Sequence, residues 1–281
     1  MIEIKNLTIT NKDINTNKLT KQPKDYIYNI DFKISEDCII GIYSHNNEAL
    51  SNLLKTLSGI NKTKNVKNSF GELFDNSKYF KNRIYLDFKN QYIKTLSPIE
   101  VKQTLESLFR VDFDIDSFKA IIKKFKIHEK TTFSNIYEFQ KDAKTLLNFA
   151  LLMSLNYKYA IIDSPTININ DSNILEEMFE MYKEKFQMCI FGINKLTDFC
   201  KSFEYIIVLD DNNQTRYLQP DSKVVVCANN DIESLKHNIM FVSKNELTIV
   251  YAPLTKEELK TLQKAKIDYY LIDLLEIEAY L

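Results

Sequence analysis

Four short, almost wholly apolar runs constrain what this chain can fold into. They are CIIGIY at 38–43, YAIID at 159–163, MCIF at 188–191 and YIIVL at 205–209, each bounded by polar residues. A strand wetted on one face alternates polar and apolar side chains. A run that is apolar throughout needs cover on both faces, as a strand inside a parallel sheet has. Helical periodicity lies between the runs. Leu50, Leu53, Leu54 and Leu57 form one stripe after the first run, with Gly59 as its C-terminal cap. Residues 172–186 read as a helix between the second and third. Strand and helix in repeated order predict an α/β fold with a parallel or mixed sheet.

Around this centre, residues 2–10 read as a strand and the polar stretch 11–25 as a loop. Tyr26, Tyr28, Ile30, Phe32 and Ile34 alternate with more polar positions and predict a half-buried strand. Ser97-Pro98-Ile99-Glu100 has the form of a capping box with proline at the first helical position. It opens a helix with Val101, Leu105 and Leu108 inward. A second helix carries Phe118, Ile121, Ile122 and Phe125, and a third carries Ala143, Leu146, Leu147 and Ala150. Past Pro220 the elements shorten. Strands are expected at 223–228, 239–243, 246–251 and 269–274, and helices at 231–237 and 256–265. The order βαββαβ is the ferredoxin-like arrangement. A domain boundary is placed near 215–222.

Composition removes several functions. The 281 residues include only four glycines, Gly41, Gly59, Gly71 and Gly192. A dinucleotide fingerprint needs three glycines close together and a phosphate-cradling loop at least two, and no window supplies either. With 37 basic and 38 acidic residues there is no net field for nucleic acid, which is not expected as a partner. Cys38, Cys189, Cys200 and Cys227 lack CxxC spacing, so no metal site is expected and a reducing cytosol is the expected setting. No apolar run approaches the length that spans a bilayer, and MIEIKNLTIT does not read as a signal peptide.

Three pieces of sequence occur in a telling order. IEIKNLT at 2–8 looks like an opening strand. GIYSHNNEALSNLLKTLSGI at 41–60 runs through strand, loop and helix without a gap. AIIDSPT at 160–166 gives a strand and its turn. In that order and spacing the chain resembles an ABC-transporter ATP-binding (ATPase) subunit of the exporter type, over essentially its whole length. The resemblance implies a P-loop-NTPase-like mixed or parallel sheet in an ATPase-like domain of residues 1–218, with a helical subdomain over about 90–155. A small ferredoxin-like domain would occupy 219–281.

The resemblance also assigns positions to the nucleotide chemistry. The family's phosphate loop, GxxGxGKS/T, uses glycines so that backbone N–H groups wrap the phosphates, and a lysine to neutralise them. Here the glycine positions hold Ser44, Asn47 and Ala49, and the lysine position holds Leu50. His45 stands where a proline is common. Asn46 and Ser51 match, and Ser51 could ligand Mg²⁺. Asp163 fills the acidic Mg²⁺ position, but Ser164 stands where a water-activating glutamate belongs. A serine hydroxyl is no general base at neutral pH. Phe88 aligns with the metal-sensing glutamine, FQKDA at 139–143 with the signature LSGGQ, and Asn194 with the switch histidine. The adenine-stacking aromatic aligns near Asn11, with Tyr26 or Tyr28 as substitutes.

Asn46, Ser51 and Asp163 are therefore the vestigial nucleotide-binding candidates, and no catalytic residue is expected. Ser51 also reads as an ordinary helix-start serine, and Asp163 as a strand-end aspartate capping a turn. No cofactor is expected, or Mg·ATP only weakly. The implied function is a pseudo-ATPase subunit on the cytoplasmic face of the membrane. It would dock on a permease subunit and form a homo- or heterodimer with another ATPase subunit. Two alternatives stay open: an atypical active ATPase using Ser51 and Asp163, and a stand-alone regulatory or immunity module.

Overall fold

The computed structural model describes residues 2–10, 25–35, 37–60, 82–87, 97–104, 106–107, 111–127, 141–163, 169, 171–212, 214–228, 232–243 and 248–281. Each apolar run becomes a central strand. These are β3 (Ile39–Tyr43), β5 (Tyr159–Asp163), β6 (Met188–Ile193) and β7 (Ile206–Leu209), with β4 (Arg83–Asp87) and β8 (Thr215–Leu218) at the edges. The six strands lie in the order β4-β5-β6-β3-β7-β8. All neighbours are parallel except β7 and β8. In β3, β6 and β7 every residue is buried, as two-sided cover requires. The edge strands β4 and β8 carry no such signal: RIYLD and TRYL mix charged with apolar residues, and on β4 the charged Arg83 and Asp87 are themselves buried.

Two helices show why the chain turns where it does. On one face lies α1 (Asn47–Leu57), with Leu50, Leu53, Leu54 and Leu57 buried. It ends in a Schellman motif: the Ile60 N–H donates to Lys55 O and the Gly59 N–H to Thr56 O, both at 2.9 Å. Gly59 takes φ 75°, the left-handed conformation that glycine adopts without steric cost. On α2 (Pro98–Thr104), the Ser97 N–H donates to Glu100 Oε2 at 2.7 Å, completing the capping box. Leu105 and Leu108 lie outside the residues whose side chains are described. α3 (Ile115–Lys124) and α4 (Lys141–Met153) bury Phe118, Ile121, Ile122, Leu146, Leu147 and Ala150. α5 (Ser172–Lys185) packs Phe179 and Tyr182 against Phe191 of β6.

The strands β1 (Ile2–Thr10) and β2 (Asp25–Ile34) form an antiparallel pair beside the main sheet. Its link to β8 includes the Thr215 hydroxyl, which donates to Asp31 O, and the Tyr217 hydroxyl, which accepts from the Lys33 N–H. Of the expected loop at 11–25, residues 11–24 lie outside the described residues, and Asp25 is instead the first residue of β2.

Toward the C-terminus, β9 (Lys223–Ala228), β10 (Ile239–Val242), β11 (Thr248–Tyr251) and β12 (Tyr269–Asp273) form a sheet in the order β10-β11-β9-β12. Every pair is antiparallel, which is the ferredoxin-like order. α6 (Lys256–Lys264) covers one face, above Val225, Cys227, Ile249 and Tyr251. The expected helix at 231–237 is a 3-10 turn at Glu233–Asn238. That tighter winding rises further per residue and lets six residues cross back to the start of β10. The sheet's other face, with Val224, Val226, Met240, Val250 and Ile272, joins the main core around Tyr43 and Phe191. Hydrophobic packing is thus continuous between the two sheets.

Candidate functional site

In parallel α/β sheets the carboxyl ends of the strands hold ligands, because loops and helix N-termini converge there. Here one row of register partners crosses that end: Asp87, Asp163, Gly192 and Ile42, on β4, β5, β6 and β3. Two residues beyond Ile42 the chain leaves β3. Only Ser44, His45 and Asn46 separate it from α1. Those three residues are pinned locally. The Ser44 N–H donates to Ile193 O at 3.4 Å, and the Asn46 N–H donates to Ser44 Oγ at 3.2 Å.

Asn46 is the N-cap of α1. Its Oδ1 accepts from the Glu48 N–H at 3.1 Å and the Ala49 N–H at 3.0 Å, and its carbonyl from the Leu50 N–H at 2.9 Å. The helix therefore starts at Asn47, and the amides of residues 48–50 are already engaged. Glu48 puts a negative charge in the first turn. Leu50 is 2% exposed and joins the apolar layer between α1 and the sheet. Ser51, on the same helix, is half-buried.

Asp163 is 2% exposed at the end of β5, and its Oδ2 accepts from the Tyr85 hydroxyl at 3.4 Å. Asn46, Ser51 and Asp163 thus lie at one end of the sheet, since α1 packs on β5 and β6. The matching positions fare unevenly. Asn194 is half-buried just past β6, and 141–143 open α4. Ser164, Phe88, Asn11 and residues 139–140 lie outside the described residues, as do the side chains of Tyr26 and Tyr28. All four cysteines are buried free thiols. Burial pushes the Cys38 thiol up to about 12 and the Cys200 thiol up to about 11. Among the described residues no group of three or more His, Cys, Asp or Glu is placed to hold a metal ion.

Sequence reasoning missed a second layer at this end, supplied by the C-terminal sheet. Tyr43 donates from its hydroxyl to Glu278 Oε1 at 2.8 Å, and the same oxygen accepts from the Leu196 N–H at 3.3 Å. His45 packs edge-to-face on Phe241 of β10, with centroids 4.3 Å apart and planes at 82°. Tyr43 meets the same ring at 5.8 Å and 87°. Burial, then the adjoining Glu278 carboxylate, push the Tyr43 hydroxyl well above the usual phenol range. Beside it the β7–β8 turn grips β10 and the residues just before it. The Asp210 carboxylate accepts from the amides of Asn212 and Gln214 and from Arg216 Nε, while Arg216 also donates to His237 O at 2.8 Å. Asp211 Oδ2 accepts from the Val242 N–H at 3.2 Å. Tyr43 and Glu278 are 235 positions apart, so no local pattern could announce their contact.

This strand order, with a short turn into a helix that covers the sheet, is the fold of an ABC-transporter ATP-binding cassette. Three solved structures share it. One, assigned as a cobalt transport ATP-binding protein, is 17% identical with TM-score 0.61, covering 91% of this chain and 93% of that one. A dimeric bacterial ABC transporter cassette is 16% identical with TM-score 0.59, covering 78% and 98%. CbiO1 from Clostridium perfringens, part of the ABC transporter complex CbiONQ, is 16% identical with TM-score 0.57, covering 78% and 88%. No protein-family model matches the chain, and no curated protein matches it. No helix among the described residues is long and apolar enough to cross a membrane.

Proposed function

We propose that this chain is a catalytically silent subunit of an ABC exporter. It occupies the position of an ATPase subunit, at the cytoplasmic face of the membrane, and docks on a permease. One observation carries the reading: Asn46 spends its side-chain oxygen on the amides of Glu48 and Ala49, while Leu50 is buried where a phosphate-binding lysine would stand. Those residues do not fit a triphosphate. The amides are engaged, no cation faces the loop from position 50, and Glu48 adds repulsion. Hydrogen bonds to charged groups contribute about 1.5–3 kcal/mol each. Micromolar to millimolar ATP sites total about 8 to 4 kcal/mol. Losing several such contacts leaves little affinity.

What remains is a shaped body with intact caps and a closed core. Its partners on this reading are a membrane permease subunit and, as a homo- or heterodimer, a second ATPase subunit. On this reading residues 219–281 form a small C-terminal domain that shares a core with residues 1–218. Calorimetry of the isolated chain with Mg·ATP tests the reading: no binding is expected below the millimolar range, with co-purification on a permease in detergent. Low-micromolar binding with turnover would overturn it. The buried carboxylate of Asp163 beside Tyr85 supports a second reading, in which Asp163 and Ser51 hold Mg·ATP in an atypical active ATPase. Asp163→Ala then abolishes transport, whereas it leaves a silent subunit working.

A further inference from the structure

The C-terminal sheet does more at the carboxyl end than fill space. The 3-10 turn Leu274–Ala279 follows β12 directly. Leu274 and Ile277 are three residues apart, so they eclipse on one face of that turn, and both are fully buried in the main core. That anchorage fixes the next residue. Glu278 reaches Tyr43 at the end of β3 and the Leu196 amide past the end of β6. One carboxylate oxygen therefore bridges the segments leaving two adjacent strands. Phe241 adds a second fastening through His45, inside the β3–α1 connection.

We propose that residues 219–281 act as a latch in cis: the Glu278 carboxylate, with Phe241 against His45, holds the β3–α1 connection and the segment after β6 in one conformation. In a nucleotide-binding site an incoming anion would order such loops through their amides and hydroxyls. Here a carboxylate of the same chain already does so. Glu278 is a positioning residue in this account and touches no substrate. The latch goes beyond the silent-subunit reading and can fail separately from it, because it concerns loop order in the absence of nucleotide.

Hydrogen exchange on the full chain, without nucleotide, tests it. Glu278→Ala is expected to speed exchange of the Leu196 amide, which loses its acceptor, by about 10- to 100-fold, the weight of a charge-assisted hydrogen bond, and to speed exchange of the bonded Ser44 and Asn46 amides as well. Glu278→Gln keeps an acceptor oxygen and is expected to restore most of the protection. Amides within β9 and β11 should exchange as in the wild type. Unchanged exchange at Leu196 in Glu278→Ala would overturn the proposal. So would parallel loosening of the whole C-terminal sheet, which would make Glu278 a mere stabiliser of that sheet. If Glu278→Ala does not fold, Tyr43→Phe removes only the hydroxyl. It should loosen the Ser44 and Asn46 amides while Leu196 keeps its bond to Glu278, and no change at either residue would equally refute the latch. Calorimetry with Mg·ATP on the same variants separates the two proposals, since binding by the wild type sinks the silent-subunit reading and leaves the exchange result standing.

Discussion

Gly192 sits in the row that crosses the carboxyl end of the sheet, between Asp163 on β5 and Ile42 on β3, with α1 directly above. A Cβ placed there would lie 2.2 Å from Leu54 Cδ1, 3.3 Å from Leu54 Cγ and 3.6 Å from Leu50 Cγ. Leu54 is fully buried, wedged in a layer with Ile40, Ile42, Leu53, Ile161 and Ile190. Gly192→Ala must push Leu54 off its rotamer or lift α1, and overpacking of this kind costs about 1–3 kcal/mol. Alanine restricts the unfolded chain more than glycine does, which offsets about 0.5–1 kcal/mol. A net loss of about 1–2 kcal/mol is expected, read in urea as a lower midpoint at unchanged slope. Leu54→Ala alone should cost about 2–5 kcal/mol through its cavity. In the double variant the new methyl enters the vacated space, so the two costs should fall short of additive by about 1 kcal/mol. A neutral Gly192→Ala, or strict additivity, would refute the claim that α1 rests on this glycine.

Two further outcomes follow from buried polar groups. Tyr182 lies in the main core with no hydrogen-bond partner for its hydroxyl among the described residues, and burial holds that hydroxyl well above its usual range. Tyr182→Phe should leave stability unchanged or raise it by up to about 1–3 kcal/mol, checked by the same urea titration. Burial also lifts the Asp210 carboxyl above the ordinary carboxylate range, against the opposing pull of its amides and Arg216. For an acid raised in the folded state, the folded protein binds the extra proton. Stability from Asp210 is therefore fullest below the unfolded carboxylate range and declines as pH rises through the raised one. Glu100, Asp114 and Glu258, held below the ordinary range by their capping hydrogen bonds, contribute the opposite slope, so the Asp210 decline is read as a difference: the wild type's unfolding free energy should fall with pH relative to that of Asp210→Asn. An identical slope in both would sink the assignment.

Much of the fold was legible because its signals are local. The continuous apolar runs marked β3, β5, β6 and β7 as covered strands, and Ser97-Pro98-Ile99-Glu100 marked a helix start that the capping hydrogen bonds match. The βαββαβ order named the C-terminal topology before its register was seen. β4 and β8 stayed hidden, since RIYLD and TRYL are short and form neither a continuous apolar run nor a strict alternation. Asn46 matched a nucleotide-binding position, and the fold turned it into a helix cap, a role its residue type also fits.

Gly41 and Gly59 could be placed from their neighbours in the chain, at a strand and at a helix end. Gly192 could not, because the side chain that needs its missing Cβ belongs to α1, well over a hundred positions earlier. The same holds for Tyr43 with Glu278, for His45 with Phe241 and for Arg216 with His237. Periodicity and capping depend on residues a few positions apart, so one strand of text carries them. Close approach between distant segments depends on how helices and sheets settle against a shared core, and that is where the carboxyl end of this sheet was closed.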